Sequence, residues 1–102
     1  MTLETAKVKL VTIITPEELL DGVEDRLKAG GASGFTVGRA DGWGQHGARQ
    51  RSFVAYANVR VEALLRPADA MRLLELLQRD YAGRQLMAFV QDVEAIPREH
   101  FT

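Results

Sequence analysis

The sequence predicts an α+β fold of the split βαβ, or ferredoxin-like, type. Its order is β-α-β-β-α-β, with an antiparallel four-stranded sheet carrying both helices on one face. Three observations predict it. Two stretches of helical periodicity are each bracketed by β-branched or alternating segments. A glycine-rich basic segment, with no periodicity of its own, divides the second strand from the third. The length of 102 residues, 46% hydrophobic and 26% charged, is that of one globular domain burying roughly 65% of its unfolded surface. Residues 1–102 are read as that single domain.

Lys7 to Ile14, rich in Val, Ile and Thr, reads as the first strand. Thr15-Pro16-Glu17-Glu18 reads as a helix start, with Thr15 as N-cap, Pro16 at the first helical position and Glu18 completing a capping box. Leu19, Leu20, Val23 and Leu27 then recur at helical spacing up to the stop at Gly30 and Gly31. Gly34 to Arg39 is a short second strand. The third emerges from about Phe53 and is clearest from Asn58 to Leu65, before Arg66-Pro67 ends it. Pro67 starts the second helix, with Asp69 in its first turn and Ala70, Leu73, Leu74, Leu77 and Tyr81 as its buried stripe. Gly83 is expected to cap it. Leu86 to Val93 is the fourth strand, and Pro97 closes the ordered pattern.

A sheet with one layer of helices leaves its other face to water, and that face should then be polar. Here both faces are apolar. The first strand offers Val8, Leu10 and Ile14 on one side and Val11 and Ile13 on the other. The fourth offers Leu86, Ala88 and Val90 against Met87, Phe89 and Val93. A homo-oligomer covering the second face is expected. The other arrangement is a monomer whose C-terminal tail folds across the sheet.

Gly30 to Arg51 holds seven of the nine glycines. From Gly38 to Arg60 there are four arginines (Arg39, Arg49, Arg51, Arg60) and one acid, Asp41, in a chain of net charge −1. Bare amides beside guanidinium groups suit an anion, most simply a phosphate. Gly42-Trp43-Gly44-Gln45-His46-Gly47 spells GxGxxG, but no helix follows it, so the dinucleotide fingerprint fails on context. Arg49 and Arg51 flank Gln50; on an extended segment they share a face and can fork onto one phosphate. Thr36, beside this loop, can hydrogen-bond a ligand's base or ribose, or simply serve as a strand former.

Other chemistry is weakly supported. The chain has no cysteine, which removes disulfides and thiol catalysis. His46 and His100 are its only histidines, without the clustered carboxylates of a metal site, so no metal is assigned. No catalytic pattern of Ser, His and Asp or of paired carboxylates stands out, and the chain is read as non-enzymatic. Near-neutral net charge argues against nucleic acid. An RNA-recognition module remains as an alternative through Arg49 and Phe53-Val54-Ala55-Tyr56. The N-terminus lacks a signal-peptide pattern and no apolar run could span a bilayer, so the expected compartment is the cytoplasm.

Gly31-Ala-Ser-Gly-Phe-Thr-Val-Gly-Arg-Ala-Asp-Gly-Trp-Gly-Gln-His-Gly47 resembles the PII signal-transduction family, whose second strand and T-loop base run G-x-x-G-[MY]-T-V before G-[FW]-G. The resemblance extends over the first strand, Asn58-Val-Arg-Val-Glu62 and Asp92-Val-Glu-Ala-Ile96. It is closest to PII-like proteins tied to bicarbonate uptake and carboxysomes, through Asp80-Tyr-Ala-Gly83. It implies a homotrimer binding adenine nucleotides between subunits, with a T-loop over about residues 42–57. Thr36 would face the nucleotide, and Gly42, Gly44, Gln45 and Gly47 would sit near the phosphates, with Arg49 and Arg51 as further phosphate ligands. Gly83 and Arg84 would form the B-loop and Arg98, with His100 beside it, the C-terminal loop. The B-loop lacks the second glycine cluster and the lysine that hold a triphosphate, which favours AMP, ADP or cyclic AMP over ATP. Bicarbonate is a further candidate ligand. The implied partner of the T-loop is a membrane transporter or a carboxysome protein. A CutA-like trimeric metal-tolerance protein using His46 or His100 is the alternative of the same architecture.

Overall fold

The computed structural model describes residues 2–41 and 58–101. Its elements are β1 (Ala6–Pro16), α1 (Leu20–Ala29), β2 (Thr36–Ala40), β3 (Asn58–Leu65), α2 (Pro67–Asp80) and β4 (Met87–Ala95). Two 3₁₀ turns, Glu17–Leu19 and Arg98–Phe101, precede α1 and follow β4. The four strands form one antiparallel sheet in the order β2-β3-β1-β4, so the split βαβ arrangement is the one observed.

Alternation along β3, buried at Val59, Val61, Ala63 and Leu65, shows a sheet with one covered face. Val11 and Ile13 of β1 lie in register with Ala63 and Val61 and join them beneath the helices. Val23 and Leu27 of α1 and Ala70, Leu73 and Leu77 of α2 complete this core. Both helices therefore turn their apolar stripes onto the same side, as their periodicity requires.

Several local expectations are corrected. β1 runs on to Pro16, which pairs with Asn58, so Pro16 does not occupy the first position of an α-helix. Thr15 is buried in the strand with its hydroxyl unpartnered; it caps nothing, and the capping box with Glu18 does not form. A proline at a strand's end sacrifices only one ladder N–H, and pairing with β3 outweighs the cap. β2 begins at Thr36 rather than Gly34, and β4 is displaced toward the C-terminus to Met87–Ala95. Tyr81, not Gly83, caps α2 through its N–H to Leu77 O (3.0 Å); Gly83, at φ 77°, turns the chain toward β4. Pro97 does not end the order either, because Arg98–Phe101 forms a turn against β1.

On the outer side the helices are tied by Arg26. Its Nε donates to Asp80 Oδ2 at 2.9 Å, its Nη1 donates to Gly22 O at 2.9 Å, and its guanidinium stacks 4.9 Å over the Tyr81 ring. Hydrogen bonds from Arg79 and from Arg26 hold the Asp80 carboxyl below the ordinary carboxylate range. The Arg26 guanidinium is correspondingly raised, first by its bond to Asp80. A depressed carboxyl stabilises the fold above its unfolded value, about 4, and that contribution disappears as pH falls through the lower folded value. Asp80→Asn is thus expected to be less stable than wild type in urea unfolding at pH 7, with the gap closing as the pH drops below about 4. A gap that stays constant to pH 3 would show the tie is not electrostatic.

Candidate functional site

The sheet face away from the helices carries the candidate site. Register fixes its rows: Thr36 lies opposite Glu62, Glu62 opposite Thr12, and Thr12 opposite Phe89. The next row toward the loop is Gly38, Arg60, Ile14 and Met87. Met87 and Phe89 are exposed at 61% and 37%, and Ile14 and Leu10 are only half-buried. Thr12, in the middle, is fully buried by its neighbours with its hydroxyl unpartnered. The expectation of a second apolar face holds.

A cleft of about 510 Å³ opens at one end of this face. Leu10 and Leu64, paired across β1 and β3, form its floor with Glu62. Phe35 and Thr36 form one wall, where the chain enters β2 after the glycine stop of α1. Ser33, His100 and Phe101 close the far side, and Ser33 Oγ lies 3.0 Å from His100 Nε2. Among the described residues, the Arg60 guanidinium approaches Glu62, its Nη2 donating to Oε2 at 3.4 Å. An apolar floor rimmed by hydroxyls, an imidazole and one carboxylate suits a flat heteroaromatic ring with hydrogen-bonding edges. A phosphate placed beside Glu62 would meet like charge, so the anionic end of any ligand belongs elsewhere.

Of the residues expected to bind ligand, Thr36 lines this cleft. Gly83 and Arg84 lie in the α2–β4 turn, where Arg84 N–H donates to Tyr81 O at 2.9 Å. That turn is at the sheet end defined by Met87 opposite Ile14 and by Asn58 opposite both Pro16 and Ala40. Arg98 lies past the other end of β4, its Nη1 donating to Glu4 Oε2 at 3.2 Å. Nine residues of strand separate them, roughly 30 Å. Gly42, Gly44, Gln45, Gly47, Arg49 and Arg51, with the rest of the T-loop segment 42–57, lie outside the described residues. So do His46 and the Phe53–Tyr56 segment of the two alternatives. Ala40 and Asn58 form the last rung before that segment, on the same end as Gly83 and Arg84.

Sequence reasoning missed Glu62, Leu10, Leu64, Phe35 and Ser33 as cleft residues. The period of two marks Glu62 and Leu64 as outward-facing on β3, but only the register with Thr36 and Leu10 reveals that they meet. Among the described residues, no group of three or more His, Asp or Glu side chains could hold a metal ion, and no helix is long and apolar enough to cross a membrane.

The model of the family "Nitrogen regulatory protein P-II" matches residues 8–100. No curated protein is significantly similar to the chain. Among solved structures, a PII-like signalling protein of Thermus thermophilus is 29% identical with a TM-score of 0.84, over 98% of this chain and 100% of that one. CPII, a nitrogen regulatory PII-like protein of Thiomonas intermedia K12 bound to ADP, AMP and bicarbonate, is 23% identical with a TM-score of 0.78, over 91% and 99%. A DUF3240 family protein of Shewanella baltica OS155 is 20% identical with a TM-score of 0.68, over 84% and 89%.

Proposed function

The chain belongs to the P-II family of nitrogen regulatory proteins, and from that premise we propose that it is a non-enzymatic sensor of adenine nucleotides. Homotrimers are typical of PII-like proteins, and this chain is read as one. AMP, ADP or cyclic AMP, ahead of ATP, binds where subunits meet. The adenine ring lies over Leu10 and Leu64 beside Thr36. The phosphates lie toward the loop, among Gly42, Gly44, Gln45, Gly47, Arg49 and Arg51 and beside Gly83 and Arg84. Arg98 comes from a neighbouring copy.

One observation carries this reading. The described cations named for the phosphate, Arg84 and Arg98, stand about 30 Å apart along β4, too far for one nucleotide to touch both in a single chain. The uncovered apolar face beside them supplies the place for a second copy that can bring them together. CPII, with ADP, AMP and bicarbonate bound, supports the ligand class and adds bicarbonate as a second ligand. Through the 42–57 loop the trimer would regulate a membrane transporter for bicarbonate or a carboxysome component, in the cytoplasm. The nucleotide can bias that loop only by its differential affinity for the partner-competent arrangement.

Calorimetry with AMP, ADP, ATP and cyclic AMP tests the reading. At least one is expected to bind below millimolar, and none doing so ends it. Arg49→Ala and Arg51→Ala are each expected to weaken the best ligand by about 1.5–3 kcal/mol, the worth of a charge-assisted hydrogen bond. Unchanged affinity in both removes them from the site.

A further inference from the structure

A second cavity, of about 230 Å³, adjoins the cleft and shares Ser33, Leu64, His100 and Phe101 with it. Gly31, Ser33, Leu65, Arg66, His100 and Phe101 line it, together with Leu64, and none of these is acidic. Its charge is set from behind. Asp69, with its side chain 9% exposed, accepts from Arg66 Nε at 3.1 Å and also from Arg72. One carboxylate facing two guanidiniums leaves a net positive charge. The bond from Nε orients the Arg66 fork, on a side chain 65% exposed. Gly31 has φ 100°, and a Cβ there would come within 3.1 Å of Asp69 Oδ2, so the turn after α1 passes the carboxylate only as glycine. Ser33 Oγ and His100 Nε2, 3.0 Å apart, add a hydroxyl and an imidazole to the rim.

We propose that this pocket binds a small oxyanion, a phosphate or carboxylate group, held by the Arg66 fork with Ser33 and His100. Its room, several times the roughly 30 Å³ of a liquid water, admits such a group but not a nucleotide. A planar fork oriented by a buried acid matches two oxygens of one anion, and its orientation lowers the entropic cost of binding. The site stands without the nucleotide reading. It lies beside the cleft, so an anion there would touch the same C-terminal turn that walls the cleft.

The test is an NMR titration of the ¹⁵N-labelled full chain with inorganic phosphate, and separately with acetate, at constant ionic strength and without nucleotide. Saturable shifts at Ser33 and His100 and at the Arg66 Nε–H are expected, with a Kd on the order of 1 mM for at least one of the two anions. Arg66→Gln is expected to weaken it about tenfold, and His100→Gln severalfold. Arg79→Gln, whose side chain lies outside the pocket, should leave it unchanged. A third arm repeats the better titration with AMP at saturation, where the same Kd is expected. Failure of both anions to saturate, or an Arg66→Gln chain with wild-type affinity, overturns the proposal. So does competitive displacement by AMP, which would make the pocket the nucleotide's own phosphate seat. Absence of AMP binding, with the anion still saturating, would remove AMP from the candidate nucleotides and leave the pocket standing.

Discussion

A Phe89→Asp chain is expected to fold, to run as a monomer, and to bind ADP at least about a hundredfold more weakly than wild type. Phe89 ends the row Thr36, Glu62, Thr12 on the uncovered sheet face and is already 37% exposed in a single chain. A carboxylate there costs an isolated subunit little. Against a second copy it must shed its water without a partner charge, a penalty of several kcal/mol. If the nucleotide site is shared between copies, loss of assembly and loss of affinity must arrive together. Light scattering on a sizing column reads the first, and calorimetry the second. A Phe89→Asp monomer that binds ADP as tightly as wild type would place the whole site within one chain and remove the shared-cleft account.

Leu27→Ala has the larger effect on the fold itself. Leu27 is fully buried between α1 and the sheet, and its carbonyl accepts from Ala32 N–H at 3.0 Å where the helix ends. Truncation removes buried methyl groups and leaves a cavity in a core whose walls come from both helices and two central strands, a loss of about 2–5 kcal/mol. At fixed protein concentration this lowers the midpoint of thermal unfolding by on the order of 10–30 °C. Lys28→Ala, one residue on and exposed, should stay within about 0.5 kcal/mol of wild type. A Leu27→Ala penalty as small as that of Lys28→Ala would mean that the core lies elsewhere.

Much of the fold was legible because its signals are local. The period of two from Asn58 to Leu65, cut off by Arg66-Pro67, gave β3 its observed bounds and α2 its observed start. Thr15-Pro16 misled because a cap signature and a strand's end look alike until the partner strand is known, and Asn58 lies 42 residues away. The turn Arg98–Phe101 left no mark beyond Pro97, since its hold comes from Glu4 and Ser33. The candidate site divides the same way. Thr36 was found from its place beside the glycine-basic loop. Glu62, Leu10 and Leu64 were not, because a cleft assembled by register across three strands has no signature in any one of them.

The rung that joins Ala40 to Asn58 also dictates how the sheet carries mechanical load. The two feet of the 42–57 segment stand directly opposite each other, about 5 Å apart. Traction applied through that segment therefore draws both feet the same way along their strands and loads the ladder between β3 and β1 in shear, all its rungs together. β2, a five-residue edge strand, is drawn along with β3, while β1, paired with β3 on one side and β4 on the other, bears the load.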